Sequence, residues 1–174
     1  MRVLAVASQK GGSGKTTFVL QLSGLLKGKG SLRVDGRIGL VFQDADDQLF
    51  MPTVLEDVAF GPRNLGMSAE AARDRAMKML EQVGLAHTAV KPPYHLSAGE
   101  KRRVAIAGVL AMEPEILVFD EPTTFLDPPA ERELARLLDS LPQAKLLVTH
   151  DITFARALAT RAVFFEHGRV AGEG

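Results

Sequence analysis

Gly14-Lys15-Thr16 follows a short apolar run, Val3 to Ala7, and precedes apolar residues at helical spacing. Glycines in such a place let backbone N–H groups and a helix N-terminus close around a β-phosphate, with Lys15 reaching the β and γ oxygens and the Thr16 hydroxyl ligating Mg²⁺. A second constellation is Asp120-Glu121, at the end of the apolar run Ile116 to Phe119. A strand-terminal carboxylate at Asp120 suits Mg²⁺ and its water, and Glu121 can polarise a water attacking the γ-phosphoryl group in line. The third is Leu96-Ser97-Ala98-Gly99-Glu100 at the head of a helical pattern. Ser97 with Glu100 reads as a capping box, and the small Ala98 and Gly99 equally read as a bare helix end open to a phosphate from another molecule. Asp127 before Pro128-Pro129 reads as well as an N-cap as it does as a site residue, and His150 as well as a turn residue as a functional one. His87, His95 and His167 have no metal-ligand spacing.

These residues need a scaffold, and the composition bounds it. A chain of 174 residues, 46% hydrophobic and 24% charged, has the balance of one folded domain that buries roughly 70% of its unfolded surface. Twenty-one basic and 21 acidic side chains cancel, so no overall field draws nucleic acid to it. With no Cys there is no disulfide framework and no thiolate chemistry. The longest apolar runs fall far short of the ~20 residues that span a bilayer. Strand, glycine loop and helix form the first unit, with Phe18, Leu22, Leu25 and Leu26 on one helical face as far as Gly28. Leu32 to Val34 and Ile38 to Phe42, around Asp35-Gly36, predict a hairpin. From Pro52 to Met112 the pattern is helical: Ser68 caps a segment whose stripe Ala72, Ala76, Met79, Leu80 and Val83 ends at Gly84. Strand and helix patterns then alternate through Ile116–Phe119, Pro128–Leu138, Leu146–Thr149, Ile152–Leu158 and Ala162–Glu166. That alternation predicts an α/β fold, a mostly parallel sheet flanked by helices; with the phosphate loop in front, the chain resembles a P-loop NTPase.

In their order along the chain, the phosphate loop, Leu-Ser-x-Gly-Glu, Asp-Glu-Pro and a later strand-terminal His resemble an ATP-binding-cassette (ABC) ATPase. Val41-Phe42-Gln43-Asp44, Asp47-Gln48-Leu49-Phe50 and Thr53 through Pro62 are similar to the ATPases of energy-coupling-factor and cobalt/nickel importers. The resemblance implies ATP and Mg²⁺ as ligands. It implies a nucleotide cradle of Gly11, Gly12, Ser13, Gly14, Lys15, Thr16 and Thr17, with Thr16, Gln43 and Asp120 at the metal. Glu121 becomes the catalytic base, His150 the switch histidine and Gln43 the sensor of Mg²⁺ and of a membrane partner. Ser97, Ala98, Gly99 and Glu100 form the signature that meets the opposite subunit's γ-phosphate, and Asp127 is the D-loop aspartate. It further implies a helical subdomain, residues 52–111, inserted between Q-loop and signature in a core of residues 1–51 and 112–174. The expected assembly is a homodimer or a paralogue heterodimer on a transmembrane transporter subunit. It would sit in the cytoplasm, peripheral on the inner face of the cell membrane, importing a transition metal ion or a vitamin, with no nucleic acid partner.

The N-terminus departs from that pattern. Ala7-Ser8-Gln9-Lys10-Gly11-Gly12-Ser13-Gly14-Lys15-Thr16-Thr17 resembles the deviant Walker A of partition and division-site ATPases, in which a lysine at the place of Lys10 crosses a dimer interface. Asp44-Ala45-Asp46 echoes their Asp-x-Asp switch. Seven residues precede Ser8, so the antiparallel β-subdomain and its adenine-stacking aromatic have no counterpart there, and the single Tyr, Tyr94, lies beside the signature. Two alternatives therefore stand beside the transporter ATPase: a partition-type nucleotide switch, and a nucleotide-binding module without turnover. Ala98 replaces the signature's first glycine, and Phe125 stands in the D-loop where a small residue is usual.

Overall fold

The computed structural model describes residues 3–7, 15–22, 24, 26–27, 33–166 and 169–174, and of residues 15 and 16 the backbone alone. The chain divides into two compact units, one of residues 1–43, 114–124 and 138–174, the other of residues 44–113 and 125–137.

The first unit is built on a six-stranded sheet: β1 (Val3–Ala7), β2 (Ile38–Val41), β3 (Ile116–Asp120), β4 (Ala144–Thr149), β5 (Arg161–Glu166) and β6 (Arg169–Glu173). Its order is β2-β3-β4-β1-β5-β6, parallel except for the antiparallel β5–β6 pair. Register follows the apolar alternation, with Val118 opposite Leu146 and Val6 opposite Val148. These residues face α1 (Lys15–Leu22), whose Val19 is buried among them with Phe18 and Leu22 packed alongside. Successive residues alternate faces, so Asp120 shares the α1 side with Ile116 and Val118. Leu117, Phe119 and Leu147 point the other way and are fully buried, each contributing about 1.5–3 kcal/mol. Helix α6 (Ile152–Leu158) packs on β1 and β4 and is capped by Asp151, which accepts from the Phe154 N–H at 2.9 Å.

Three features differ from the sequence expectation. The hairpin does not form: residues 33–37 are not strand, and β2 lies at the end of the sheet, paired parallel with β3 from Ile38↔Ile116 to Val41↔Phe119. A long-range partner that lets Ile38 and Leu40 join the core under α1 outweighs the local Asp35-Gly36 turn signal. Helix α1 runs from Lys15 to Leu22, Gly24 follows at φ +74°, a conformation that ends helices, and Leu26 is not helical, while Leu25 lies outside the described residues. Strand β6, absent from the sequence reading, extends the sheet beyond β5.

The second unit is helical: α2 (Val54–Asn64), α3 (Ala69–Gln82), α4 (Ala98–Leu110) and most of α5 (Pro128–Ser140). Ser68 caps α3 by accepting from the Ala71 N–H at 3.2 Å, and Ala72, Ala76 and Leu80 are wholly buried against Val58, Val104 and Ala107. Gly61 allows α2 and the end of α4 to meet closely, since a Cβ there would lie 2.7 Å from the Met112 side chain. Among the described residues no helix is long and apolar enough to cross a membrane.

Candidate functional site

In the sheet unit, strands β3, β4 and β1 are consecutive neighbours running the same way, so their C-terminal ends open at one edge. Asp120 lies opposite Val148, and Ala7 opposite Thr149. Glu121 after β3 and His150 after β4 leave from this edge, where β1 also ends at Ala7. Open α/β sheets bind ligands at that end. Neighbouring strands are spaced about 4.8 Å apart, so β1 and β3 ends lie within the span of a triphosphate.

Asp120 is buried, 5% exposed, on the α1 side of the sheet. Glu121 adopts φ +46°, in the left-handed region that costs a non-glycine residue about 1 kcal/mol. Its N–H is held by the Val148 carbonyl at 2.7 Å, which fixes the turn out of the strand. Its carboxylate Oε2 accepts the backbone N–H of His150 at 3.1 Å and stands 2.7 Å from His150 Nδ1. The Glu121 side chain is 12% exposed and that of His150 65%. An enclosed carboxylate thus leans on a solvent-facing imidazole across the ends of adjacent strands. Gln43 lies exposed two residues past β2, and Thr17 is exposed on the first turn of α1. Gly11, Gly12, Ser13 and Gly14, like Lys10, lie outside the described residues, as do the side chains of Lys15 and Thr16.

One buried carboxylate at a strand end fits Mg²⁺, a hard cation that takes one or two protein carboxylates and fills its remaining positions with phosphate oxygens and water. Asp120 is a buried carboxylate of that kind; such an ion, when bound, neutralises charge on the β and γ oxygens of a nucleotide.

In the helical unit, Ser97 and Glu100 form a complete capping box at the start of α4. The Ser97 N–H and Oγ–H both donate to Glu100 Oε2, at 2.8 and 2.9 Å, and the Glu100 N–H donates to Ser97 Oγ at 3.3 Å. The Ser97 N–H holds the Glu100 carboxyl below the usual carboxylate range, against the opposing effect of burial. Gly99 is required by packing: a Cβ there would lie 2.9 Å from Ala130 Cβ on α5. Asp127 caps α5, its Oδ1 accepting from the Ala130 N–H at 2.9 Å with Pro128 at the first helical position. The starts of α4 and α5 therefore stand side by side, carrying Ser97, Ala98, Gly99, Glu100 and Asp127 together.

The Asp-x-Asp echo has local employment. Asp44 caps the 3-10 turn Ala45–Asp47 by accepting from the Asp46 N–H, and its charge offsets part of the desolvation that lowers the pKa of buried Arg102. Asp46 pairs with Lys101 Nζ at 2.6 Å. Sequence reasoning gave no role to Phe50 and Phe60, which stack edge to face at 5.0 Å while 63% and 37% exposed. Buried Asp57 holds the loop beneath them, accepting from the N–H groups of Phe50 and Met51 at 3.0 Å, and burial raises its pKa. An exposed aromatic pair of this kind suits contact with a partner; the signal was two Phe residues in a chain with only 6% aromatics.

The family model described as ABC transporter matches residues 10–124, more than half of the chain. The chain belongs to the ABC transporter family. It is 50% identical over 179 residues to a protein named as an ABC transporter ATP-binding protein from Gloeobacter violaceus, covering 94% of this chain and 73% of that one. It is 45% identical to the energy-coupling factor transporter ATP-binding protein EcfA of Methanosphaera stadtmanae, over 81% of this chain and 58% of the relative. Among solved structures, cbiO1 of Clostridium perfringens, part of the ABC transporter complex cbiONQ, matches with a TM-score of 0.86 and 35% identity, covering 99% of this chain and 76% of that one. The ATP-binding cassette MJ0796, solved as a dimer with ADP and phosphate, matches with a TM-score of 0.82 and 30% identity, over 99% and 84% of the two chains. This ABC chain is accordingly an ATPase, the ATP-binding subunit of a transporter, on the mostly parallel P-loop NTPase fold.

Proposed function

We propose that the chain powers a membrane importer for a transition metal ion or a vitamin, and that two copies, or one copy and a paralogue, close on ATP and reopen after its hydrolysis. The observation that carries this reading is the enclosed Glu121 carboxylate, hydrogen-bonded to His150 and next in sequence to buried Asp120. Glu121 accepts a proton from the attacking water; the new oxygen–phosphorus bond forms on the γ-phosphorus, and the bond to the bridging β–γ oxygen breaks, leaving ADP and phosphate. His150 orients that carboxylate. Gly11, Gly12, Ser13, Gly14, Lys15, Thr16 and Thr17 cradle the phosphates, and Gln43 links the site to the transmembrane subunit. The start of α4, from Ser97 to Glu100, caps the γ-phosphate held by the second copy, and Asp127 lines the same face. Similarity to EcfA and to cbiO1 supports the importer class and a place on the inner face of the cell membrane. In Glu121→Gln, ATP should still bind and dimers should accumulate, while phosphate release falls by about 10³. Unchanged turnover in that variant overturns the mechanism.

A further inference from the structure

Two acidic residues on the turn after Gln43 meet two consecutive basic residues in the first turns of α4. Asp46 Oδ1 stands 2.6 Å from Lys101 Nζ, and the charge of Asp44 lies near Arg102, which is 3% exposed. The Lys101 side chain is itself only 19% exposed, so it is laid against the protein and does not swing in solvent. Apolar packing reinforces the charges. Ala45 is buried, its carbonyl accepts the N–H groups of Gln48 and Leu49 at 3.0 and 3.1 Å, and Leu49 packs on the core of the helical unit. The turn is thus part of the helical unit and moves with α4.

Lys101 is equally fixed to the other end of the link. Its N–H donates to the Ser97 carbonyl at 2.9 Å, inside the turn that the Ser97–Glu100 capping box closes. The chain passes from the first unit to the second between Gln43 and Asp44. Gln43 is therefore the last residue before a segment clamped to the start of α4, with no slack loop to absorb a displacement. The geometry points to Lys101 and Asp46 as positioning residues that keep the start of α4 in step with Gln43, so that engagement of Gln43 and capture of the second copy's γ-phosphate favour each other. This rests on the dimer closure proposed above and adds to it a link made by residues outside the phosphate contacts. By linkage the coupling acts equally in both directions.

An ion pair that merely decorates a surface contributes little to anything, and dimerisation tells the two cases apart. The reading is the Mg·ATP concentration for half-maximal dimerisation of Glu121→Gln, followed by size-exclusion chromatography. Adding Asp46→Asn or Lys101→Met should raise it about fivefold, with melting temperatures within about 3 °C of the parent. Exchanging the charges, Asp46→Lys with Lys101→Asp, should bring it back to within about twofold. When Gln43→Ala is already present, Asp46→Asn should add less than about twofold, because both changes break one path. Dimerisation unchanged in both single variants, or a full fivefold cost of Asp46→Asn on top of Gln43→Ala, overturns the link and leaves the proposed function standing. A loss in Lys101→Met that Asp46→Asn does not reproduce and the exchange does not repair also overturns it, making Lys101 a direct phosphate contact. No Mg·ATP-driven dimer in the Glu121→Gln form overturns both.

Discussion

Glu121 Oε2 lies 2.7 Å from His150 Nδ1, although 29 residues separate the two in sequence. The sheet creates this pair: β3 and β4 are in parallel register, so the residues just beyond their C-terminal ends meet. The left-handed turn at Glu121 then brings its carboxylate across to the neighbouring strand. His150→Ala removes the ring and leaves the backbone N–H at position 150 on the carboxylate. Turnover should fall about 100-fold with the dissociation constant for ATP within about threefold. An ATPase assay paired with nucleotide titration checks this, and a rise in the dissociation constant that matched the loss of turnover would argue for a binding role instead.

Gly99 meets one demand in the fold, a close approach to α5, and in the proposed dimer closure a second, a backbone open to phosphate. Gly99→Ala should destabilise the fold by about 1–3 kcal/mol through the clash with Ala130 Cβ. Ala130→Gly in the same chain should restore much of that stability. If the double variant recovers its melting temperature without recovering ATPase activity, the phosphate role is separate from packing; recovery of both would make Gly99 a packing residue alone.

The capping box at α4 predicts an acid limb. The folded carboxyl of Glu100 lies below its unfolded value, so its contribution is present above the unfolded pKa and disappears as pH falls through the folded one. Melting temperature should therefore drop more on acidification from about pH 7 to pH 3 for the parent chain than for Glu100→Gln, the two converging at the acid end. A constant gap between the two curves would show that the carboxylate is not held by the Ser97 N–H.

Phe125 is 75% exposed and adopts φ +67°. A ring so exposed gains little burial to offset that conformation, so Phe125→Gly should stabilise the isolated chain by about 1 kcal/mol, or about 2–4 °C in melting temperature. Thermal unfolding without nucleotide measures it, and a lower melting temperature would mean that the ring packs within its own chain.

Buried Asp57 holds the loop bearing Phe50 through two N–H groups. Asp57→Ala leaves both without their acceptor and should cost about 1–3 kcal/mol. Faster hydrogen exchange at residues 50 and 51 should accompany the loss, and unchanged exchange there would exclude this role.

The sequence displays the elements whose period is strong. The runs of β1, β3 and β4 read as strands, and the Ala72, Ala76, Leu80 stripe closed by Gly84 reads as the α3 helix. It does not display β6, whose stretch from Arg169 to Glu173 has little apolar character and is strand because β5 offers it an edge. Nor does it display the parallel pairing of β2, where Ile38 finds Ile116 far along the chain and a local turn signal points elsewhere. The same limit holds at the site. Asp120, Glu121 and His150 are legible as types, but their meeting depends on β3 and β4 being neighbours. Spacing suggests the capping box of Ser97 and Glu100, while the contact that excludes a side chain at Gly99 comes from Ala130 on another helix.

Strand β1 pairs with β4 and β5, and its register begins with Val3 opposite Lys145. During synthesis β1 therefore has neither neighbour until the chain has been made beyond residue 144. The helices from Val54 to Leu110 can collapse early, since their contacts are close in sequence. Completion of the nucleotide edge becomes a late, long-loop event, slow by topology and exposed to aggregation meanwhile. A nascent chain stalled before residue 144 would carry the motif for phosphate without the sheet that gives it shape.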